Sequence, residues 1–299
     1  MDIYTIDLNF QGLPKTIACY LLDAPDGYVL VETGPGSTLP TLLAQLAEKG
    51  LAPDDIKHVL VTHIHLDHSG AAGWWANQGA QVYVHHVGAP HLIDPRRLLA
   101  SASLIYGAEM QPLWGEITPA PVERITTLSD GDKVEVAGIS LTALDTPGHA
   151  YHHHVYVLDN IAFTGDAAGV RILDTGLVDV PAPPPEFNLS VWQTTIARLL
   201  NQSFEAIYPT HFGKLTAWRN QLESLSELLK TAAYFVKRRL DRGLDREMIL
   251  GEYKEWRRGR AQLVGMSSED LDRCELANPH HMSVDGITRY WRKQAERNG

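Results

Sequence analysis

Four side chains able to bind a metal stand within six residues, in the run His63-Ile64-His65-Leu66-Asp67-His68. Neutral imidazoles and a carboxylate are what zinc, manganese or iron(II) take from a protein. Spacing carries as much as composition. The run follows the apolar segment Val59-Leu60-Val61-Thr62, which reads as the end of a buried strand. His63 and His65, two apart in extended chain, therefore point to one side. Asp67 and His68 come after the chain begins to turn and reach a second point nearby. One metal can use the first pair and another the second. A solvated polar loop would draw on Ser, Gly, Asn and Lys in place of His.

Three later segments repeat this arrangement, in which a short apolar strand ends in a turn that carries a metal-ligand residue. They are Leu144-Asp145-Thr146-Pro147-Gly148-His149, Ile161-Ala162-Phe163-Thr164-Gly165-Asp166 and Ile207-Tyr208-Pro209-Thr210-His211-Phe212-Gly213. Strand-end loops are where mixed sheets present functional groups, and Pro and Gly shape such turns.

The elements that must position these residues are legible in outline. Strands are expected over 3–10, 16–23, 28–33, 58–62 and 81–85, with Pro25-Asp26-Gly27 as a hairpin turn. Leu39, Leu42, Leu43 and Leu46 recur at helical spacing before a stop at Gly50, and 69–78 reads as a helix ending at Gly79. Residues 95–114 read as helical, with Leu104, Ile105 and Tyr106 taken as core. In the second half, 133–136 and 139–144 flank Ala137-Gly138, and 155–158 and 161–164 flank Asp159-Asn160, two hairpin-like spacings. Pro181-Ala182-Pro183-Pro184-Pro185 is a stiff loop, 189–200 a helix and 206–209 a short strand. From 215 onward the pattern is helical throughout. Both halves run strands, helix, strand, which suggests two similar layers packed face to face with helices outside. The division expected is a catalytic domain over 1–214 and a helical extension over 215–299.

Bulk properties narrow the function classes. The chain has 299 residues, 44% hydrophobic and 21% charged, as in ordinary soluble domains. A formal net charge of −10 disfavours sequence-independent nucleic-acid binding, which needs Lys and Arg on phosphates. The two cysteines, Cys19 and Cys274, are far apart, against a disulfide framework or thiolate zinc sites. The first residues show no signal peptide and no apolar run is long enough to span a membrane, so a cytoplasmic enzyme of a small molecule is expected.

Taken together, HxHxDH at 63–68, TPGH at 146–149, TGD at 164–166 and PTH at 209–211 resemble the metallo-β-lactamase fold superfamily, in the family's order. The resemblance covers residues 1 to about 213. It implies an α/β, four-layer αββα sandwich with a two-metal site at one edge. Carried over, His63, His65 and His149 bind the first metal, Asp67, His68 and His211 the second, and Asp166 bridges both. Glu32 stands where the family usually has Asp and would support the site from behind the ligands. Two divalent ions, zinc first and iron or manganese as alternatives, lie about 3.5–4 Å apart in such sites and hold a bridging hydroxide. Asp67 would orient that hydroxide and, with Asp166, counts as catalytic.

Nine of the fourteen histidines remain after five are assigned as ligands. His153 stands where relatives often have a second His and would contact substrate or support the site, as would His85. The bridging Asp is typical of glyoxalase II-like thioesterases and lactonases, whereas β-lactamases of this fold usually carry Cys or Ser there. The expectation is hydrolysis of a small ester, thioester or lactone. The alternatives are a mononuclear iron persulfide dioxygenase, a phosphoester or phosphotriester hydrolase, and a binding module without catalysis. The C-terminal helices would cap the site or form a homodimer interface through Tyr253, Trp256, Tyr290 and Trp291. Arg257, Arg258 and Arg260 read as a solvated helix face.

Overall fold

The computed structural model describes residues 1–171 and 177–298, which form two compact units. The first comprises Met1–Asp145, His152–Gly165 and Phe204–Lys214, and the second Thr146–Tyr151, Asp166–Ser203 and Leu215–Gly299.

Both sheets lie in the first unit. Strands β1 (Asp2–Asp7), β2 (Ala18–Ala24), β3 (Gly27–Val31), β4 (Ile56–Leu60), β5 (Gln81–His85) and β6 (Ile125–Leu128) form one sheet in that order. Its first three strands are antiparallel and the rest parallel. Strands β7 (Lys133–Val136), β8 (Ile139–Asp145), β9 (His154–Leu158), β10 (Ile161–Phe163) and β11 (Ala206–Tyr208) form the other, in the order β11-β10-β9-β8-β7. The expected turns hold. Ala137 and Gly138 take φ +48° and +76°, and Asp159 takes +49°, the left-handed values that tight hairpins require.

Strand β2 shows why the sheets stack. Ala18, Tyr20 and Leu22 join Val29, Val31 and Leu60 against Leu141, Ala143, Tyr156, Leu158 and Phe163 of the second sheet. Cys19 and Leu21, on the alternate positions, face Leu42, Leu46, Trp75 and Ala76 of the helices Leu39–Glu48 and Ala72–Asn77. Covered on both faces, β2 reads as a continuous apolar run. Each such fully buried Leu or Val contributes about 1.5–3 kcal/mol of transfer free energy.

Three local expectations are corrected. The helix expected over 69–78 begins earlier and is interrupted, as Leu66–Ser69 and then Ala72–Asn77. The amide of Ala71 leaves the helical ladder to donate to Gly34 O at 3.0 Å. A Cβ on Gly70 would come within 2.9 Å of Pro35 Cα, so two chain segments meet closely there. Strand β6 was not visible in sequence. It has four residues, of which only Leu128 is buried, too few to display an alternation. Leu104 is 90% exposed, since the helix Arg96–Tyr106 fully buries only Ala102.

The second unit is helical, with Leu189–Leu200, Trp218–Asp241, Arg246–Leu263, Ser268–Ala277 and His280–Asn298. Three of these starts are set by side-chain caps: Asn188 accepts from Val191 N, Asp245 from Met248 N and Ser267 from Asp270 N. Leu222, Leu225, Leu228 and Leu229 are buried, as their spacing predicts. Arg257 is not on a solvated face. It is completely buried and its Nη2 lies 3.1 Å from Asp179 Oδ1. Tyr253 is buried beside Phe235, Trp256 and His280 of its own chain. Both cysteines are free and buried. Among the described residues, no helix is long and apolar enough to cross a membrane.

Candidate metal centre

In the first unit, the candidate ligand atoms come from the segments that follow β4 and β11. β4 ends at Leu60, and after a bend at Thr62 the chain delivers the buried His63. His65, at φ −64° and ψ 152°, precedes the short helix Leu66–Ser69, whose first turn carries Asp67 and His68. His63 Nε2 lies 3.0 Å from His65 Nδ1. Two ligands on one tetrahedral zinc would have nitrogens about 3.3 Å apart, given bonds of about 2.0–2.1 Å. Asp67, His68 and His211 place one ligand atom each within 4.8 Å of one another. Asp67 Oδ2 is 3.5 Å from His68 Nε2 and 3.3 Å from His211 Nε2.

The Nδ1 edges of His68, His211 and His63 each meet a fixed oxygen. His68 Nδ1–H donates to Glu32 Oε1 at 3.1 Å, His211 Nδ1–H to the Thr16 carbonyl at 2.6 Å, and His63 Nδ1 meets Thr62 Oγ1 at 3.1 Å. A proton on Nδ1 leaves the Nε2 lone pair for a metal, which is how ligating histidines are oriented. Glu32 is the hub of this support. Besides His68 it accepts from Thr62 N at 3.2 Å, from the Thr62 hydroxyl, and from the Thr210 hydroxyl at 3.1 Å. It therefore ties the ends of β3, β4 and β11 together, and does so at φ +64°, uncommon for a residue with a side chain. The amides of Thr33 and Gly34 both donate to His68 O, fixing the helix turn. Tyr20 grips the His211 loop by donating to Pro209 O and accepting from Gly213 N.

Burial alone would push the Asp67 carboxyl up, but His68 and then His211 outweigh it and hold it well below the ordinary carboxylate range. Asp67 is thus an anion over the whole neutral range. Tyr106 lies within its field, and its phenol is raised by burial and by Asp67. His153 is buried, with its ring 4.7 Å from that of His63, and a Cβ on Gly165 would lie 2.8 Å from its Nε2. His85 is turned to other partners: Nδ1 accepts from Val87 N at 3.1 Å and Nε2 lies 3.3 Å from Asp145 Oδ1.

The second unit carries the other two expected ligand residues. His149 Nε2 lies 3.4 Å from Asp166 Oδ2, and both residues are buried. His149 Nδ1–H donates to Pro181 O at 2.7 Å, the same outward anchoring as its counterparts. The helix Leu189–Leu200 positions both segments. Thr195 Oγ1 donates to Pro147 O at 2.6 Å, Trp192 Nε1 to Ala167 O at 3.1 Å, and Asn188 N to Gly148 O at 2.8 Å. Gly148, at φ +133°, is required there because a Cβ would come within 2.3 Å of Trp192 Cβ. Gln221 Nε2 donates to Ala168 O at 3.1 Å. Tyr20, Thr62, Thr210, Trp192, Thr195 and Gln221 were not singled out in sequence. Only Thr62 and Thr210, each flanking a ligand histidine, offered any local signal.

A sheet-on-sheet α/β fold presents, at its strand ends, histidines and aspartates that could hold a metal ion. Residues 13–211 match the metallo-beta-lactamase superfamily, and the chain belongs to that family. Its fold is that of a metallo-beta-lactamase family protein of Thermus thermophilus, with TM-score 0.69 and 22% identity over 98% of this chain and 94% of that one. A superfamily protein of Sulfolobus tokodaii gives TM-score 0.63 at 21% identity, over 77% of this chain and 85% of the other. Among curated relatives, the lactamase-like protein adaB of Aspergillus niger is 29% identical over 196 residues, 64% of this chain and 48% of its own length. The atrochrysone carboxyl ACP thioesterase of Aspergillus chevalieri is also 29% identical over 196 residues, 64% of this chain and 50% of its own. The chain thus spans about half the length of these two relatives.

Proposed function

We propose that the protein is a dinuclear metal hydrolase of a small ester, thioester or lactone, in the glyoxalase II-like and lactonase-like manner. His63, His65 and His149 would hold one divalent ion, Asp67, His68 and His211 the other, and Asp166 would bridge them. Zinc is the first candidate, with iron or manganese also suited to this donor set. The observation that carries the reading is the common anchoring of the imidazoles: Nδ1 of His68, His149 and His211 donates outward to Glu32, Pro181 O and Thr16 O. That tautomer suits Nε2 ligation.

Such ions would lower the pKa of water and polarise a carbonyl or phosphoryl oxygen. The chain's own residues supply the rest. Asp67, held ionised by His68 and His211, is an acceptor that can orient a water proton. Glu32 keeps His68 in one tautomer. His63, His68, His149, Asp166 and His211 are buried. We take residues 215–299 as a helical extension of the catalytic chain and a cytoplasmic homodimer as its working state.

The thioesterase name of one relative puts thioesters first among candidate substrates. The test is elemental analysis of natively purified protein together with a panel of thioester, lactone, aryl ester and phosphotriester substrates. About two metal equivalents and turnover of a carbonyl ester are expected. A fully metal-loaded protein that cleaves no panel member sinks the hydrolase reading. One iron with oxygen uptake on a persulfide selects the dioxygenase instead.

A further inference from the structure

The strap Val178–Ala182 carries the Pro181 carbonyl that receives the His149 Nδ1–H at 2.7 Å. Its backbone is clamped on both sides of that carbonyl by the C-terminal helices. Ser283, buried on the helix His280–Asn298, donates its hydroxyl to Val180 O at 2.7 Å and accepts from Ala182 N at 3.4 Å. One hydroxyl thus spans the peptide groups flanking Pro181. One turn on, Gly286 lets the helix press against the strap, for a Cβ there would lie 2.0 Å from Ala182 O. Arg257, on the helix Arg246–Leu263, donates to Val178 O at 3.3 Å and pairs with Asp179 at 3.1 Å. Asp179 in turn accepts from Val180 N at 2.8 Å. Every residue of this chain of contacts belongs to the second unit.

We propose that Ser283, with Gly286 and Arg257 behind it, is a positioning residue that sets the tautomer and aim of the metal-ligand histidine His149 through the Pro181 carbonyl. The inference rests on the metal centre proposed above. The physical reason is that a hydrogen bond to a ligating imidazole holds its orientation only as firmly as the acceptor itself is held. Pro181 has no N–H of its own, so its peptide plane is fixed by its neighbours. Ser283 fixes both. The C-terminal helices then have a function in metal binding that requires neither substrate contact nor a dimer.

The test uses the full-length protein stripped of metal and titrated with zinc against a chromophoric chelator. For Ser283→Ala, one of the two zinc equivalents is expected to weaken about tenfold, the low end for losing support behind a ligand, while the other keeps its affinity. Trp291→Phe is the control. It removes a hydrogen bond of the same helix, from Trp291 Nε1 to Ala233 O at 2.8 Å, at a place away from the strap. A second readout separates positioning from loss of fold. In ¹⁵N spectra of the metal-free protein, the His149 ring is expected as a single Nδ1–H tautomer in the wild type and as a tautomer mixture in Ser283→Ala. Unchanged zinc affinity and tautomer in Ser283→Ala, or equal weakening in Trp291→Phe, overturns the inference alone. A wild-type protein that takes up no zinc overturns the metal centre and the inference with it.

Discussion

Glu32 Oε1 lies 3.1 Å from His68 Nδ1, and both side chains are buried. The carboxylate that supports this histidine also accepts from Thr62 and Thr210, on the segments that deliver His63 and His211. One side chain therefore registers three strand ends to each other, which joins the stability of the fold to the geometry of the ligands.

Removing that carboxylate is expected to damage both. Glu32→Ala leaves buried donors of Thr62, Thr210 and His68 without their acceptor, at about 1–3 kcal/mol for a lost partner and more where a charge is involved. Chemical denaturation is expected to show a loss of about 3 kcal/mol or more, and zinc competition a weakening of about 10–100-fold. Glu32→Gln keeps an acceptor oxygen and is expected to fall between wild type and Glu32→Ala. Equal stability in all three proteins would contradict the hub role.

Gly165 stands just before Asp166 at φ +49°, and a Cβ there would lie 2.4 Å from Thr62 Oγ1. Gly165→Ala combines a disfavoured backbone with a collision against the residue that Glu32 holds. A destabilisation of about 2–4 kcal/mol is expected in urea unfolding. Gly79→Ala serves as a comparison, since φ is +97° but nothing lies within 4 Å of the added Cβ. If both variants lose the same amount, the contact with Thr62 contributes nothing.

His154 is fully buried with Nε2 3.2 Å from Val61 O, and burial, with His85 next, pushes its pKa down to about 3. The unfolded chain takes up this proton near pH 6.5, whereas the folded one stays neutral to about 3. The unfolded state therefore binds more protons in that window, so stability falls as the pH is lowered through it and levels off below about 3. The slope from this one group is up to about 1.4 kcal/mol per pH unit. Unfolding of metal-free wild type and His154→Asn from neutral pH down into that window is expected to show a shallower slope in the variant. Parallel curves would mean that His154 is protonated in the fold.

Asp166, assigned as the shared ligand, gives a prediction on stoichiometry. Asp166→Ala is expected to carry fewer metal equivalents than wild type by elemental analysis and to lose at least about 100-fold in turnover of the best panel substrate. Stripping metal from the wild type with a chelator is expected to lower Tm, and adding zinc back to restore it in a concentration-dependent way. Wild-type metal content and turnover in Asp166→Ala would remove it from the site.

The amino-acid sequence by itself determined the candidate ligand types, their order and their place at strand ends, because imidazole and carboxylate chemistry and the apolar runs before them are local properties. It determined most strands and turns for the same reason: Gln81–His85 and the Ala137-Gly138 turn follow from alternation and from glycine at a left-handed position. Tertiary structure decided what stands behind each ligand. Thr16 O and His211, or Pro181 O and His149, are joined by backbone carbonyls, which every residue owns and no residue type signals. Arg257 reads as a surface cation because its partner Asp179 is 78 positions away in the chain, and only folding brings a counter-charge that makes burial tolerable. Sequence names groups that can act, and the packing of distant segments decides which of them are held firmly enough to do so.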